Sequence, residues 1–471
     1  MYDVIIIGGG IVGTATARAL SRYQLKILLI EREADIAVGA TKANSGILHA
    51  GYDCHPGTLK ALLNVLGLAM YTKLCQELDI PYKNNGSIVI STDADGPQKL
   101  KELYERGLAN GVTGMELLSA EETLALEPNL TTKTTGALKA NTAGIISPYE
   151  AGIAFAENAA VNGVEFLLET TVTGIKAEKD GNFTISTSSC APLRAKTIIN
   201  AAGVESATIH NHLNTSKESI IPQRGQYHLL DNTQRDLVKH TVFQLPTALG
   251  KGVLVVPTVD ENILIGPTAE PPDDPFATET TPEGLQDVFE KSKHILKNIP
   301  IHDRITTFAG IRAKHDSKDF VINEAAPGFI NAIGIDSPGL TAAPAIAEMI
   351  TNMVTSRLQP PVKHNFIPQR IGIKRFRELT PKQQANLIKE NPAYGRIVCR
   401  CETITEAEII DAIRRPVGAR NLNALKRRTR AQMGRCQGGF CLTKLMELLS
   451  RELNVPETDV TLDGTGSRLC L

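Results

Sequence analysis

The sequence predicts an α/β fold class: a βαβ unit at the amino terminus, an inserted antiparallel-sheet domain, and a small α-rich domain at the carboxyl end. Three observations carry this reading. Residues 2–31 pass from a β-branched run through a glycine turn and a helical stretch to a second apolar run. Strand-like segments crowd residues 225–266. Four of the eight cysteines, Cys399, Cys401, Cys436 and Cys441, gather near the end of the 471 residues.

Each element follows from local chemistry. Residues 4–7 are continuously apolar, as a parallel strand buried on both faces requires. Gly8-Gly9-Gly10-Ile11-Val12-Gly13 then leads into a helix over 14–21, and residues 25–30 form the next strand, ending at Glu31. The crossover between the two strands is expected to be right-handed. Ser147-Pro148-Tyr149-Glu150 predicts a helix start, with Ser147 as cap, proline in the first turn and Glu150 closing a capping box; Gly163 ends that helix. Short strands are expected near 165–168, 172–175, 183–186 and 197–200. The sheet over 225–266 follows, then strands near 308–313 and 329–335 and a helix from Gly339 to about residue 354. Residues 357–393, rich in Pro, Lys, Gln and Arg, read as a linker holding one short helix that Thr380-Pro381 opens.

The glycine turn is chemically specific in this setting. Gly8 permits the tight turn, Gly10 lets a pyrophosphate approach the backbone, and Gly13 allows close helix–strand packing. The helix amino terminus offers free N–H donors and a favourable dipole to phosphates. Glu31, 18 residues beyond Gly13, is placed to accept from a ribose hydroxyl. The unit is therefore Rossmann-like and takes a dinucleotide. An NAD domain would continue with more regular βα units. Here come a loop of small and polar residues from Gly39 to Gly46, then Asn200-Ala201-Ala202-Gly203 at a strand end. Asp336-Ser337-Pro338-Gly339-Leu340-Thr341 leads into a second helix amino terminus, suited to the anionic edge of a reduced flavin.

Taken together, these pieces resemble the D-amino-acid-oxidase-like superfamily of FAD enzymes over residues 2–355, and within it the flavin-dependent glycerol-3-phosphate dehydrogenases and oxidases. The segments that carry the likeness are Asn44-Ser45-Gly46-Ile47-Leu48-His49-Ala50-Gly51, residues 59–67, Ile145-Ile146-Ser147-Pro148-Tyr149-Glu150, residues 251–258 and Gly310-Ile311-Arg312-Ala313. The L-2-hydroxyglutarate dehydrogenases share the His-Ala-Gly pattern and Pro56-Gly57-Thr58-Leu59-Lys60-Ala61, and stand as the close competitor. The FAD-contacting set that the resemblance implies is Gly8, Gly10, Ile11, Val12, Gly13, Glu31, Arg32, Thr41, Asn44, Ser45, Val172, Ala201, Ala202, Gly203, Gly310, Ser337, Gly339, Leu340 and Thr341. It divides residues 1–356 into FAD-binding parts (1–80, 145–220 and 305–356) and substrate parts (81–144 and 221–304), with 357–393 as linker and 394–471 as the terminal domain.

Oxidising a secondary alcohol needs a hydride acceptor, which FAD provides, and a base for the hydroxyl proton. Histidine suits the second task without large tuning, and the resemblance places it at His49. A phosphate or carboxylate on the substrate calls for converging cations. Arg312 can give a bidentate contact and Lys251 a point charge, with Ser45 and Ser337 as polar helpers. His49 and Arg312 are thus the expected catalytic pair. The expected reaction takes glycerol 3-phosphate to dihydroxyacetone phosphate. L-2-hydroxyglutarate or another 2-hydroxy acid, or an amino or imino acid, is the alternative substrate. A reading of another kind makes the chain an electron-transfer or redox-sensing subunit.

The clustered cysteines are spaced C-x-C, 34 residues, C-x4-C. A C-x-C pair is tighter than the usual zinc knuckle, so four thiolates on a [2Fe-2S] cluster is the better reading, with zinc the alternative. Thr405-Glu406-Ala407-Glu408 predicts a capping box, and residues 442–453 a helix. The segment resembles the ferredoxin domain of bacterioferritin-associated type. Beside it, Lys426-Arg427-Arg428-Thr429-Arg430 and Arg435 read as a cationic patch that offsets cluster charge, docks an acidic partner or faces solvent. Such a cluster passes electrons singly, so a protein or quinone acceptor, or a partner subunit, is expected.

Fifty Lys plus Arg against 51 Asp plus Glu leave a formal charge of −1, which offers no global field for nucleic acid or an anionic membrane. No apolar run approaches the roughly 20 residues of a membrane helix. The chain enters a strand at Tyr2 without a charged leader. A cytoplasmic location is expected, with peripheral contact at the inner face of the membrane as its variant. Cys54, Cys75, Cys190 and Cys470 read as ordinary thiols.

Overall fold

The computed structural model describes residues 1–245 and 252–469. Lys251 and Cys470 lie outside the described residues. The first sheet is built on parallel strands in the order Glu165–Leu167, β2 (Ile27–Ile30), β1 (Tyr2–Ile7), Leu193–Asn200 and Phe329–Ile333. Alternation along β1 divides its side chains between two layers. Val4 and Ile6 pack under α1 (Ile11–Leu20), α2 (Leu59–Leu78) and the helices Pro148–Val161 and Gly339–Leu358; Ile5 and Ile7 join Phe183, Ile185 and Phe329 on the other face. Gly67 lets α2 approach the helix Gly339–Leu358, because a Cβ there would strike the Thr341 carbonyl.

The second sheet runs Arg304–His315, Ile220–Leu230, Ile263–Gly266, Leu254–Pro257, Thr241–Gln244, Ser87–Ser91, Gly136–Ala140 and Met115–Ser119. Neighbouring strands are antiparallel except for Thr241–Gln244 beside Ser87–Ser91, where the two inserted pieces of chain meet in parallel. The strand Arg304–His315 pairs along Ile220–Leu230 and belongs to this sheet. The chain therefore re-enters the first sheet after His315, later than residue 305.

Ser147 is the backbone cap of Pro148–Val161, but its hydroxyl caps nothing; the expected box does not form because the Glu150 carboxylate turns away to Arg375, 3.1 Å distant. The box expected at Thr405 does form, and the helix that Thr380 opens carries one as well. The terminal domain is a short hairpin, Ile397–Cys399 with Ile404–Thr405, and helices Glu406–Arg414, Leu422–Thr429 and Leu442–Leu453 around Ile409, Ile413, Leu425, Leu445 and Leu449.

The cationic run is not a solvated face. Arg427, Arg428 and Arg430 are buried against carboxylates of the other domains, namely Asp35 and Asp260. Only Arg435 stays exposed, held 3.0 Å from Asp231. Among the described residues no helix is long and apolar enough to cross a membrane.

Candidate active site and cluster site

The FAD candidates collect at the carboxyl ends of the parallel strands, where ligands of such sheets bind. Gly8 follows β1 with φ +109°, and a Cβ on it would strike the Ala201 carbonyl at the end of the neighbouring strand. A Cβ on Gly13 would strike the Gly8 carbonyl, so α1 sits directly on the turn. The first turn of α1 holds no acidic residue and no side-chain cap from Gly10; the Ile11 N–H donates to Thr41 Oγ1 at 3.0 Å. The Glu31 carboxylate accepts from the N–H groups of Gly9 and Glu33, and burial pushes its pKa up. Arg32 lies over the Phe276 ring at 4.6 Å, Val172 is buried beside Ile7 and Ile30, and Ala201 donates to the Ile7 carbonyl at 2.9 Å. A helix end without an internal counter-charge, a turn with no room for side chains, and an acid at the end of β2 fit the pyrophosphate and ribose of a dinucleotide.

The loop after Thr41 holds the residues expected to serve alcohol oxidation. Asn44 shapes it, donating to the carbonyls of Ala40 and Thr41 and accepting from Gly46. His49 is fixed through its backbone: its N–H donates to Thr341 Oγ1 at 2.9 Å and its carbonyl accepts from Asn64 at 2.8 Å. Its ring Nε2 lies 3.4 Å from Ser337 Oγ, and its ring centroid 5.7 Å from that of Phe243. Lys60 on α2 holds the buried Asp336 carboxylate, and Tyr71 donates to the Leu340 carbonyl at 2.6 Å. Ser337, Gly339, Leu340 and Thr341 are thereby anchored at the start of their helix.

The second sheet covers this loop. Its register places Phe308 opposite Tyr227, Gly310 opposite Gly225 and Arg312 opposite Gln223, all on one face. Tyr227 stacks on Phe308 with centroids 4.8 Å apart and hydrogen-bonds Ser45 at 3.2 Å. A Cβ on Gly310 would strike the Ala43 carbonyl, so sheet and loop touch there. Arg312 is half-buried, donates to the Thr268 carbonyl at 3.2 Å, and has no carboxylate partner among the described residues. The structure thus joins Ser45, His49 and Ser337 to the sheet face bearing Arg312. Tyr227, Phe243 and Phe308 were not legible as site residues: in sequence they are ordinary apolar positions of alternating strands.

The four thiols of the terminal domain converge as two pairs, Cys399 with Cys441 and Cys401 with Cys436. The hydrogen bond from Cys441 pulls the Cys399 thiol down to about 6. Backbone N–H groups of Gln432 and Glu402 point at Cys399, and those of Gly438 and Phe440 at Cys436. Paired thiols surrounded by N–H donors suit a two-iron cluster, whose sulfurs accept such bonds.

Glu402, next to Cys401, binds Arg377 and Arg430 at 2.8 Å each, and both guanidiniums also bind Asp260 of the second sheet. The Tyr149 hydroxyl donates to the Met433 sulfur at 3.6 Å. The terminal domain is therefore docked on both of the others.

A dinucleotide site on a parallel sheet, covered by a second sheet and followed by a four-thiol domain, defines a flavin-dependent oxidoreductase with an iron–sulfur appendage. The chain belongs to the FAD dependent oxidoreductase family, whose model matches residues 3–353; a BFD-like [2Fe-2S] binding domain matches residues 397–451. It is similar to a glycerol 3-phosphate dehydrogenase of Caloramator mitchellensis, 47% identical over 99% of this chain and 98% of the relative. It is also similar to the human mitochondrial L-2-hydroxyglutarate dehydrogenase, 32% identical over 57% of this chain and 61% of that protein. Among solved structures, FAD-bound L-alpha-glycerophosphate oxidase of Mycoplasma pneumoniae superposes with a TM-score of 0.75 at 32% identity, covering 78% of this chain and 98% of that one. FAD and a [2Fe-2S] cluster are accordingly the cofactors of this enzyme.

Proposed function

We propose that the chain oxidises glycerol 3-phosphate to dihydroxyacetone phosphate and passes the electrons to a protein or quinone acceptor. Arg312 carries this reading: a half-buried guanidinium without a carboxylate partner among the described residues, on the sheet face that covers the His49 loop. Its planar fork suits a phosphate or carboxylate, and the whole-length similarity to a glycerol 3-phosphate dehydrogenase favours the phosphate. Bound FAD supplies the acceptor for the two electrons and the hydrogen that leave the carbinol carbon. His49 takes the hydroxyl proton at a ring nitrogen, and Ser337 orients the ring or the hydroxyl. Ser45 and Tyr227 hold the polar end of the pocket, while Phe243 and Phe308 exclude water. Lys251 adds a second cation to the phosphate in this reading, and Cys399, Cys401, Cys436 and Cys441 hold the cluster.

The enzyme works in the cytoplasm in this account, reaching a quinone by peripheral contact with the inner face of the membrane. The second reading, L-2-hydroxyglutarate oxidation, would use Arg312 for a carboxylate. Anaerobic mixing with glycerol 3-phosphate, L-2-hydroxyglutarate, glycine and proline separates the two. Flavin bleaching fastest with glycerol 3-phosphate supports the proposal; bleaching by L-2-hydroxyglutarate alone replaces it.

A further inference from the structure

We infer that the cluster domain forms the outer wall of the FAD site: Arg427 and Arg428 are positioning residues that hold the cofactor loop closed through Asp35. The inference rests on FAD binding but is independent of the substrate. Asp35 is buried and accepts from Arg427 Nη2 at 2.8 Å and from Arg428 at 2.8 and 2.7 Å. Two residues further on, Ala37 donates to the Gly9 carbonyl at 2.9 Å, inside the glycine turn itself. Ala37 takes a left-handed backbone, φ +59°, which a residue with a Cβ holds only when its surroundings impose it. Four residues beyond, Thr41 binds the Ile11 N–H at the start of α1 and packs with Ala37 against Gly152. A continuous chain of bonds therefore runs from the helix Leu422–Thr429 to the turn that would face the pyrophosphate.

Two further contacts close the same edge. The Thr465 N–H and hydroxyl both donate to Glu169, three residues before Val172.

The test compares FAD release from full-length holoenzyme variants, followed by the fluorescence of freed flavin after dilution, with cluster absorbance and thermal midpoint measured alongside. Asp35→Asn and Arg428→Gln are set against Arg415→Gln, which breaks a buried pair with Glu157 on the same interface but away from the glycine turn. The expected result is FAD release at least tenfold faster in the first two, with cluster absorbance per chain retained. Arg415→Gln should lower the thermal midpoint while leaving FAD release unchanged. Release at the parental rate in Asp35→Asn and Arg428→Gln, or equal acceleration in all three, overturns the inference. If Asp35→Asn does not fold, Arg427→Gln replaces it with the same two outcomes. A parent chain that binds no FAD would instead strike at the cofactor assignment.

Discussion

The His49 ring nitrogen lies 3.4 Å from the Ser337 hydroxyl, although 288 residues separate the two in the chain. The pair exists because two strand ends of one parallel sheet deliver their loops to the same place, and because Thr341 fixes the His49 backbone while Lys60 fixes Asp336. The histidine proposed as proton acceptor is thereby set at the amino end of the helix Gly339–Leu358.

Replacing His49 by Gln should leave FAD bound and slow anaerobic flavin reduction by roughly a hundredfold or more, the range of general-base catalysis. Stopped-flow absorbance measures it directly. Parental speed in the variant would remove His49 from the chemistry.

Arg312→Lys should raise the KM for glycerol 3-phosphate about tenfold, roughly 1.4 kcal/mol, with a smaller change in kcat. A lysine cannot reproduce the planar fork or the bond to the Thr268 carbonyl at 3.2 Å. An unchanged KM would place the substrate anion elsewhere.

Cys399→Ser should abolish the visible absorbance of the cluster and slow electron delivery to a one-electron acceptor. Flavin reduction by substrate should proceed as in the parent, since the thiol pairs lie in a separate domain. A variant that keeps a full cluster spectrum would contradict the ligand set.

Loss of the Asp35 clamp should depend on pH. Burial pushes the Asp35 carboxyl up, but Arg428 and Arg427 outweigh it and hold the group below its usual range. A carboxyl lowered in the folded state contributes stability above its unfolded pKa, about 3.9, and loses it as pH falls through the folded value. Urea unfolding should therefore show Asp35→Asn less stable than the parent by about 3–5 kcal/mol near pH 7. The gap should narrow progressively below about pH 4. A gap that widens on acidification would reverse the assigned sign.

Much of this molecule could be read from the chain alone, for identifiable reasons. Residues 4–7 of β1 and the whole of β2 are buried on both faces, so they are unbroken apolar runs. Helices with a completed box, such as Glu406–Arg414, announce their starts. By contrast, α2 leaves Leu62 and Leu66 exposed and shows no clean polar stripe. Ser147 looks like a cap, yet its box depends on Glu150, which an arginine 225 residues away captures. The arginines at 427 and 428 look like a solvated patch because their carboxylate, Asp35, stands 392 residues earlier. Local signals reveal local structure; partners that meet only after folding leave no trace in sequence spacing.

The proposed reaction delivers the electrons of glycerol 3-phosphate to the bound FAD. Anaerobic stopped-flow mixing of purified holoenzyme with this one compound tests it most directly. The oxidised flavin band should disappear rapidly, at a rate that saturates with substrate and falls in Arg312→Lys. An unchanged flavin spectrum at saturating glycerol 3-phosphate would contradict it.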